Sequence, residues 1–325
     1  MKAAVRERYG PPEVVQVRDV ERPVPSDDQV LVRVHAASVN RADLDGLYPR
    51  WQFTRLFFGL LKPRSPYLGL DVAGVVESVG PNVTRFRPGD HVFGDMFAFG
   101  QNAFAEYVSA REKAFLPIPA GMPFEEAATL PHSAVLAVQG LRAGGRAVGP
   151  GDKVLVVGAS GNVGPFVVQI AKSRGAEVTG VCRTEKMDFV RSLGADHVID
   201  YTTSDYTRGG ERYDWIVDVD AHHGILRWRD ALRPRGVYVA MGGPGSWILQ
   251  ALLVGPIASL ATGKRMGLLL GWKPFKLEDV ESLEELIAAG KVKPVIDLRF
   301  PLSQVVEALR YVDDGHAKGK VVITG

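Results

Sequence analysis

The sequence predicts an α/β chain in which a β-rich segment leads into alternating strands and helices. Three observations predict it. Residues 1 to about 120 carry short runs of strand character, "VLVRVHAASV", "AGVVESVG" and "AFAEYVSA", with frequent Pro and Gly between them. From about 123, strand-like runs at 153–157, 177–182, 197–199, 215–219 and 237–241 are separated by helix-like runs at 163–173, 185–193 and 225–232. Helices of that length between strands imply crossover connections and a doubly wound parallel sheet covered on both faces. After about 273, a charged helix, "LEDVESLEELIAAG", and a terminal strand, "GKVVITG", depart from that alternation.

Each run has a local cause. In "VLVRVHAASV", Val30, Val32 and Val34 share one face, and Arg33 and His35 the other. "PFEEAATLPHSAVLAVQGLRA" has acidic residues early and apolar residues at three-to-four spacing, as a helix does. The stretch 247–272 is the only membrane suspect, but Pro256 and Gly263-Lys264-Arg265 interrupt it. No run of roughly 18–20 apolar residues is left, so a buried helix or pocket wall is expected. There is no internal repeat and no low-complexity segment.

Composition narrows the function. A chain of 325 residues allows two domains, with 46% hydrophobic and 23% charged residues. The formal net charge of +2 gives no support to nucleic acid or an anionic membrane as partner. A single cysteine, Cys182, excludes an internal disulfide framework and a multi-cysteine zinc site, and suits a reducing cytoplasm. "MKAAVRERYG" does not read as a signal peptide.

"VLVVGASGNVGPFVVQIAK" sets a strand, a glycine turn and a helix in succession. A dinucleotide fold needs small residues where the chain turns, where backbone nears the pyrophosphate, and where helix meets strand. Ala159, Gly161 and Gly164 are assigned to these places, with Ser160, Asn162 and Val163 between them. Pro165 is tolerated in the first helical turn, and the helix N-terminus turns free N–H groups toward phosphate. This reads as a Rossmann-type cofactor site, with a plain tight strand-to-helix turn as the alternative. NAD-selective folds place an acid about 20 residues on. Here the place holds Cys182-Arg183-Thr184, with Lys186 following, so a 2′-phosphate and NADPH are favoured.

"GLDVAGVVESVGPNVTRFRPGDHVFG", "GASGNVG", "SLGADHVIDY" and "GHAKGKVVI" together resemble the medium-chain dehydrogenase/reductase superfamily, in its zinc-independent quinone oxidoreductase branch. The resemblance runs over essentially the whole chain. It implies a GroES-like catalytic domain, 1–122 and 273–325, around a Rossmann NADPH-binding domain, 123–272, and a homodimer formed through the Rossmann sheets. Zinc-dependent members carry Gly-His-Glu where this chain has Gly69-Leu70-Asp71, and use cysteine ligands besides, so no metal is expected. Asn40, in "SVNRAD", matches an asparagine near nicotinamide and substrate, and Tyr48 follows it in a cleft-lining loop. Tyr201 matches a tyrosine near the adenosine phosphate, and Gly242-Gly243 sit where relatives pass backbone along the nicotinamide. Lys318 and Lys320 are read as exposed lysines near the terminus with no specific role, or as helpers of the cofactor phosphate, and Asp71 is expected to be a buried structural carboxylate rather than a catalytic acid.

Two places depart from the family pattern. In "LPHSAVLA", Leu136 replaces a threonine expected near the nicotinamide, while His132 and Ser133 add polar groups. The aromatic insert 51–61, with Trp51, Phe53, Phe57 and Leu61, reads as a helix packed on its own domain, a lid, or a dimer contact. The expected reaction is hydride transfer from NADPH to a quinone or conjugated carbonyl, with Asn40 and Tyr48 as donors and water, Tyr48 or His132 as proton source. An alkenal or enone reductase inactive on quinones, and a non-catalytic NADPH-binding sensor or structural protein, are the alternatives.

Overall fold

The computed structural model describes residues 1–48, 59–243, 245–269 and 276–325. The chain divides into two compact units, one of Met1–Ser133 and Pro294–Gly325, the other of Ala134–Lys273 and Leu277–Lys293. The helix Leu277–Ala288 thus belongs with the second unit, although the expected boundary at 273 gave it to the first. Its buried Asp279 explains this by accepting hydrogen bonds from Arg142 Nη1 (2.8 Å) and Gln139 Nε2 (2.9 Å).

In the first unit, a seven-stranded sheet runs in the order Ile296–Pro301, Lys320–Thr324, Gln29–Val39, Asp71–Val79, His91–Asp95 and Phe115–Pro117, with Tyr107–Arg111 paired to Gln29–Val39. All its pairings are antiparallel except that of Ile296–Pro301 with Lys320–Thr324. Gln29–Val39 serves two partners along one edge, Tyr107–Arg111 over its first half and Lys320–Thr324 over its second. Its apolar residues pack with Leu44, Leu47, Phe104, Phe115, Val305 and Leu309 into one core. Register is what matters for function: Ser38 lies opposite Asp71, and Asp71 opposite Asp95. Residues directly opposite share a face of the sheet, so three polar side chains stand in a row across three strands.

In the second unit, six parallel strands run His197–Asp200, Glu177–Cys182, Lys153–Val157, Tyr213–Asp218, Leu232–Ala240 and Arg265–Leu268. Numbered along the chain this is the order 3-2-1-4-5-6, that of a dinucleotide-binding sheet, as the alternation predicted. Three expected elements differ. The helix expected over 123–143 is two, Phe124–Ala127 and Ser133–Gly140, because Pro131 interrupts the ladder. The helix expected at 225–232 is a single turn, Ile225–Trp228, and Leu232 already belongs to the next strand.

The third difference concerns 247–272. Gly245–Thr262 is a helix, but it is not buried: Leu253, Ile257 and Leu260 are 59%, 67% and 89% exposed. Only one stripe packs, through Ala251 and Ala258 and through Ser259 Oγ donating to Met266 O at 3.1 Å. Among the described residues no helix is long and apolar enough to cross a membrane.

Candidate active site

The row of polar residues in the first unit is the centre of a closed hydrogen-bond network. Asp71 is fully buried and accepts four donors. Its Oδ1 takes His132 N at 3.0 Å, and its Oδ2 takes Ser38 Oγ (2.9 Å), Asn40 Nδ2 (2.9 Å) and Lys320 Nζ (3.2 Å). A buried carboxylate is sustained only where donors replace its lost hydration, and here four donors come from three segments of chain.

Lys320 departs from expectation. It is not an exposed lysine near the terminus but wholly buried, because its strand lies inside the sheet. Its ammonium donates to Asn40 Oδ1 (2.6 Å), Ser133 Oγ (3.1 Å) and Asp71, which uses its three hydrogens. Burial pulls its pKa below the ordinary lysine value, and Asp71 opposes that pull. Asn40 departs too. Its Nδ2 donates to Asp71 and, at 3.4 Å, to Ser38 O, while its Oδ1 accepts from Lys320 and from Ser133 Oγ (3.0 Å). The amide expected to donate to substrate is committed on both sides, because two buried charges flank it.

His132 faces Asp95, its Nδ1 lying 3.1 Å from Asp95 Oδ2. Burial works against the imidazolium, but the hydrogen bond and charge of Asp95, helped by Asp71, outweigh it and raise the His132 pKa. Asp95 is itself anchored by Phe97 N at 2.7 Å. Asp43 accepts Asn40 N at 2.7 Å from the first turn of the helix Arg41–Leu47, and burial pushes its carboxyl up to about 7. Tyr48 ends the same helix but turns elsewhere, its hydroxyl donating to Asp313 on the helix Val305–Asp313. Arg41 reaches that carboxylate as well, at 3.1 Å. Of the insert 51–61, residues 51–58 lie outside the described residues; Leu60 and Leu61 are exposed.

In the second unit the glycine turn fits a dinucleotide, with its first place shifted by one residue. Gly158, not Ala159, makes the turn: its φ is +77°, a conformation that favours glycine. Ala159 is buried, and a Cβ built on Gly180 would lie 3.1 Å from its own. At Gly161 an added Cβ would meet only Gly158 O, at 3.6 Å, leaving the backbone open to approach. At Gly164 it would lie 2.2 Å from Gly158 O, so helix and strand pack too closely for any side chain. Ser160 and Val163 are buried within the turn, Asn162 half-buried, and the helix Gly164–Ser173 follows.

Beyond the second strand, Arg183 is exposed and its Nε donates to Tyr201 Oη at 2.6 Å. Lys186, expected on a surface turn, is buried. Asp200, the nearby carboxylate sequence reading passed over, accepts Thr184 Oγ1, Thr202 Oγ1 (2.7 Å) and Thr202 N (2.9 Å). The Thr184 and Thr202 hydrogen bonds hold it below the usual carboxylate range. Gly242 and Gly243 also exclude side chains, since added Cβ atoms would lie 2.7 Å from Val219 O and 2.6 Å from Ala221 O. Among the described residues no group of three or more His, Cys, Asp or Glu is placed to hold a metal ion.

Sequence reasoning missed Gly158, Ser38, Asp43 and Asp95, and misplaced Lys320. Two signals were available: the glycine directly before Ala159, and a lysine heading a strand, "KVVIT", that is apolar on both faces.

Comparison with known proteins agrees with this geometry. Residues 26–120 match the family described as alcohol dehydrogenase GroES-like domain, and residues 193–323 the family described as zinc-binding dehydrogenase. The chain is 32% identical to a chloroplast envelope quinone oxidoreductase homolog of Arabidopsis thaliana, over 93% of this chain and 91% of that one. It is 32% identical to the mitochondrial NAD(P)H oxidoreductase RTN4IP1 of Mus musculus, over 99% and 89%. Among solved structures, the quinone oxidoreductase from Coxiella burnetii superposes with a TM-score of 0.86 at 28% identity, covering 100% of this chain and 99% of that one.

Proposed function

The chain belongs to the quinone oxidoreductase branch of the medium-chain dehydrogenase/reductase superfamily, and from that premise we propose that it is an NADPH-dependent reductase of quinones or conjugated carbonyls. The observation that carries the cofactor half is the Arg183–Tyr201 bond beyond the second parallel strand, where an NAD-selective site sets a carboxylate. A guanidinium and a phenol there favour a 2′-phosphate, while Thr184 and Thr202 hold the nearby carboxylate Asp200.

NADPH, when bound, supplies the hydride. Gly161 would leave backbone open to the pyrophosphate, while Gly242 and Gly243, whose Cβ positions face Val219 O and Ala221 O, serve close packing of the chain where relatives run along the nicotinamide. Hydride arriving on a quinone or enone leaves an anion that needs a proton. His132 provides it: Asp95 holds Nδ1 and favours the imidazolium, and Nε2 carries the transferable proton. Asn40 and Lys320 position that histidine through Asp71, which accepts its backbone N–H, so Asn40 orients rather than donates. Among the described residues Arg265–Leu268 pairs on one side only, which supports a homodimer, and a lone buried cysteine suits the cytoplasm.

Cofactor oxidation followed at 340 nm against quinones and enones tests the reading. NADPH is expected to be preferred over NADH, and Arg183→Asp to cut that preference at least tenfold. No oxidation with any acceptor, or a preference that Arg183→Asp leaves intact, refutes it; turnover of enones alone makes it an enone reductase.

A further inference from the structure

A second cation in the first unit is buried with two of its nitrogens unpartnered among the described residues. Arg6, just beyond the strand Lys2–Val5, is 3% exposed, and among the described residues its Nε and Nη1 have no hydrogen-bond partner. Its backbone N–H is occupied, donating to Pro66 O at 2.8 Å, so the segment is fixed and only the guanidinium is left over. Native proteins rarely leave such a group unpaired, because burying a charge without compensation costs several kcal/mol.

The surroundings are arranged for a ligand. A Cβ added to Gly46 would lie 3.7 Å from Gln101 Oε1 and 3.8 Å from Arg6 Nη1 and Nη2, so an amide and the guanidinium converge on one bare glycine. Gln101 holds a left-handed conformation, φ +54°, uncommon for a residue with a side chain. The Tyr9 ring flanks the guanidinium, 5.9 Å from its carbon. The nearest acid in influence is Asp43, which acts on Arg6 through space while its Oδ2 accepts Asn40 N. Asp43 also feels Asp71, His132 and Lys320, which makes the Arg6 site a neighbour of the proton-donating network.

We propose that Arg6 receives a carboxylate carried by the substrate, so that the preferred acceptors are quinones or conjugated carbonyls with an acidic substituent. A guanidinium grips a carboxylate in two parallel bonds, through Nε with Nη2 or Nη1 with Nη2, and in Arg6 each of these pairs contains one of the two unpartnered nitrogens, Nε and Nη1. The substrate class rests on the reductase reading above; the anion site does not.

The test uses benzoate as a binding probe, and 1,4-naphthoquinone with its carboxylate-bearing counterpart as acceptors. Benzoate is expected to raise the thermal midpoint of the wild-type protein, to do less for Arg6→Lys, and to do nothing for Arg6→Met. Without ligand, Arg6→Met should melt at or above the wild type, because an unpaired buried charge has been removed. The kcat/KM ratio of carboxylate over neutral quinone should fall at least tenfold in Arg6→Met. Benzoate acting equally on wild type and Arg6→Met, or on neither, overturns the proposal. So does an Arg6→Met protein that melts well below wild type or does not fold, since that makes Arg6 architectural. If no acceptor is reduced while benzoate still requires Arg6, the reductase reading fails and the anion site stands.

Discussion

Two carboxylates are equally buried in the two units and differ in almost everything else. Asp71, in the β-rich unit, is surrounded by four donors, one of them an ammonium. Asp218, at the end of Tyr213–Asp218, accepts Tyr238 Oη at 2.8 Å on Oδ2, and its Oδ1 has no partner among the described residues. Burial pushes the Asp218 carboxyl up to about 7, with Tyr238 holding it back. The tyrosine stacks on Trp228. Equal depth therefore does not mean equal surroundings: the number and kind of donors decide how well a buried carboxylate is stabilised.

The sharpest way to break the contrast is to remove the cation on the Asp71 side. Lys320→Met should cost about 3–5 kcal/mol in urea unfolding, because it strands a buried carboxylate. Pairing it with Asp71→Leu should recover much of that loss; a double variant as unstable as the sum of the single ones would show that the two charges do not act together.

Next in size is the effect on chemistry. His132→Gln is expected to lower kcat/KM about 100-fold with the fold intact. In the wild type, activity should fall as pH rises through the His132 pKa, which lies above its ordinary 6.5. Asp95→Asn should move that limb to lower pH, since Asp95 is the main support of the imidazolium. A limb unmoved by Asp95→Asn assigns the proton to another group.

The smallest expected effect is on the Asp218 side, and its sign is opposite. A carboxyl held near 7 when folded, against 3.8 ordinarily, binds its proton more tightly in the folded state. Its contribution to stability is complete below the lower value and is lost as pH rises through the upper one. Asp218→Asn should therefore stabilise the protein by about 1–3 kcal/mol at pH 8 and hardly at all at pH 4. A gain of equal size at both pH values would show that packing, not charge, is responsible.

The parallel sheet was legible because its strands and helices announce themselves locally: 153–157, 163–173 and 177–182 appear almost at their expected bounds. The polar network was not. Its bonds to Asp71 and Lys320 join residues 31 to 280 apart, so only the local contacts of Asn40 with Ser38 and Asp43 fall within one window of sequence. Asn40 was found by resemblance, yet its committed amide is visible only once Lys320 and Asp71 close around it. The exposed Leu253, Ile257 and Leu260 were unreadable for another reason: composition makes 247–262 apolar all round, and which stripe packs depends on the strand beside it.

The separation between Asp71 and Lys320 also has a temporal side. Between them lies the second unit's main body, Ala134–Lys273, a continuous stretch able to form while the ribosome is still working. At about 5–20 residues per second, the 249 positions dividing acid from ammonium represent roughly 12–50 s of translation. For that interval the nascent β-rich sheet lacks its interior strand Lys320–Thr324 and the counterion it brings, so the first segment made is among the last to close.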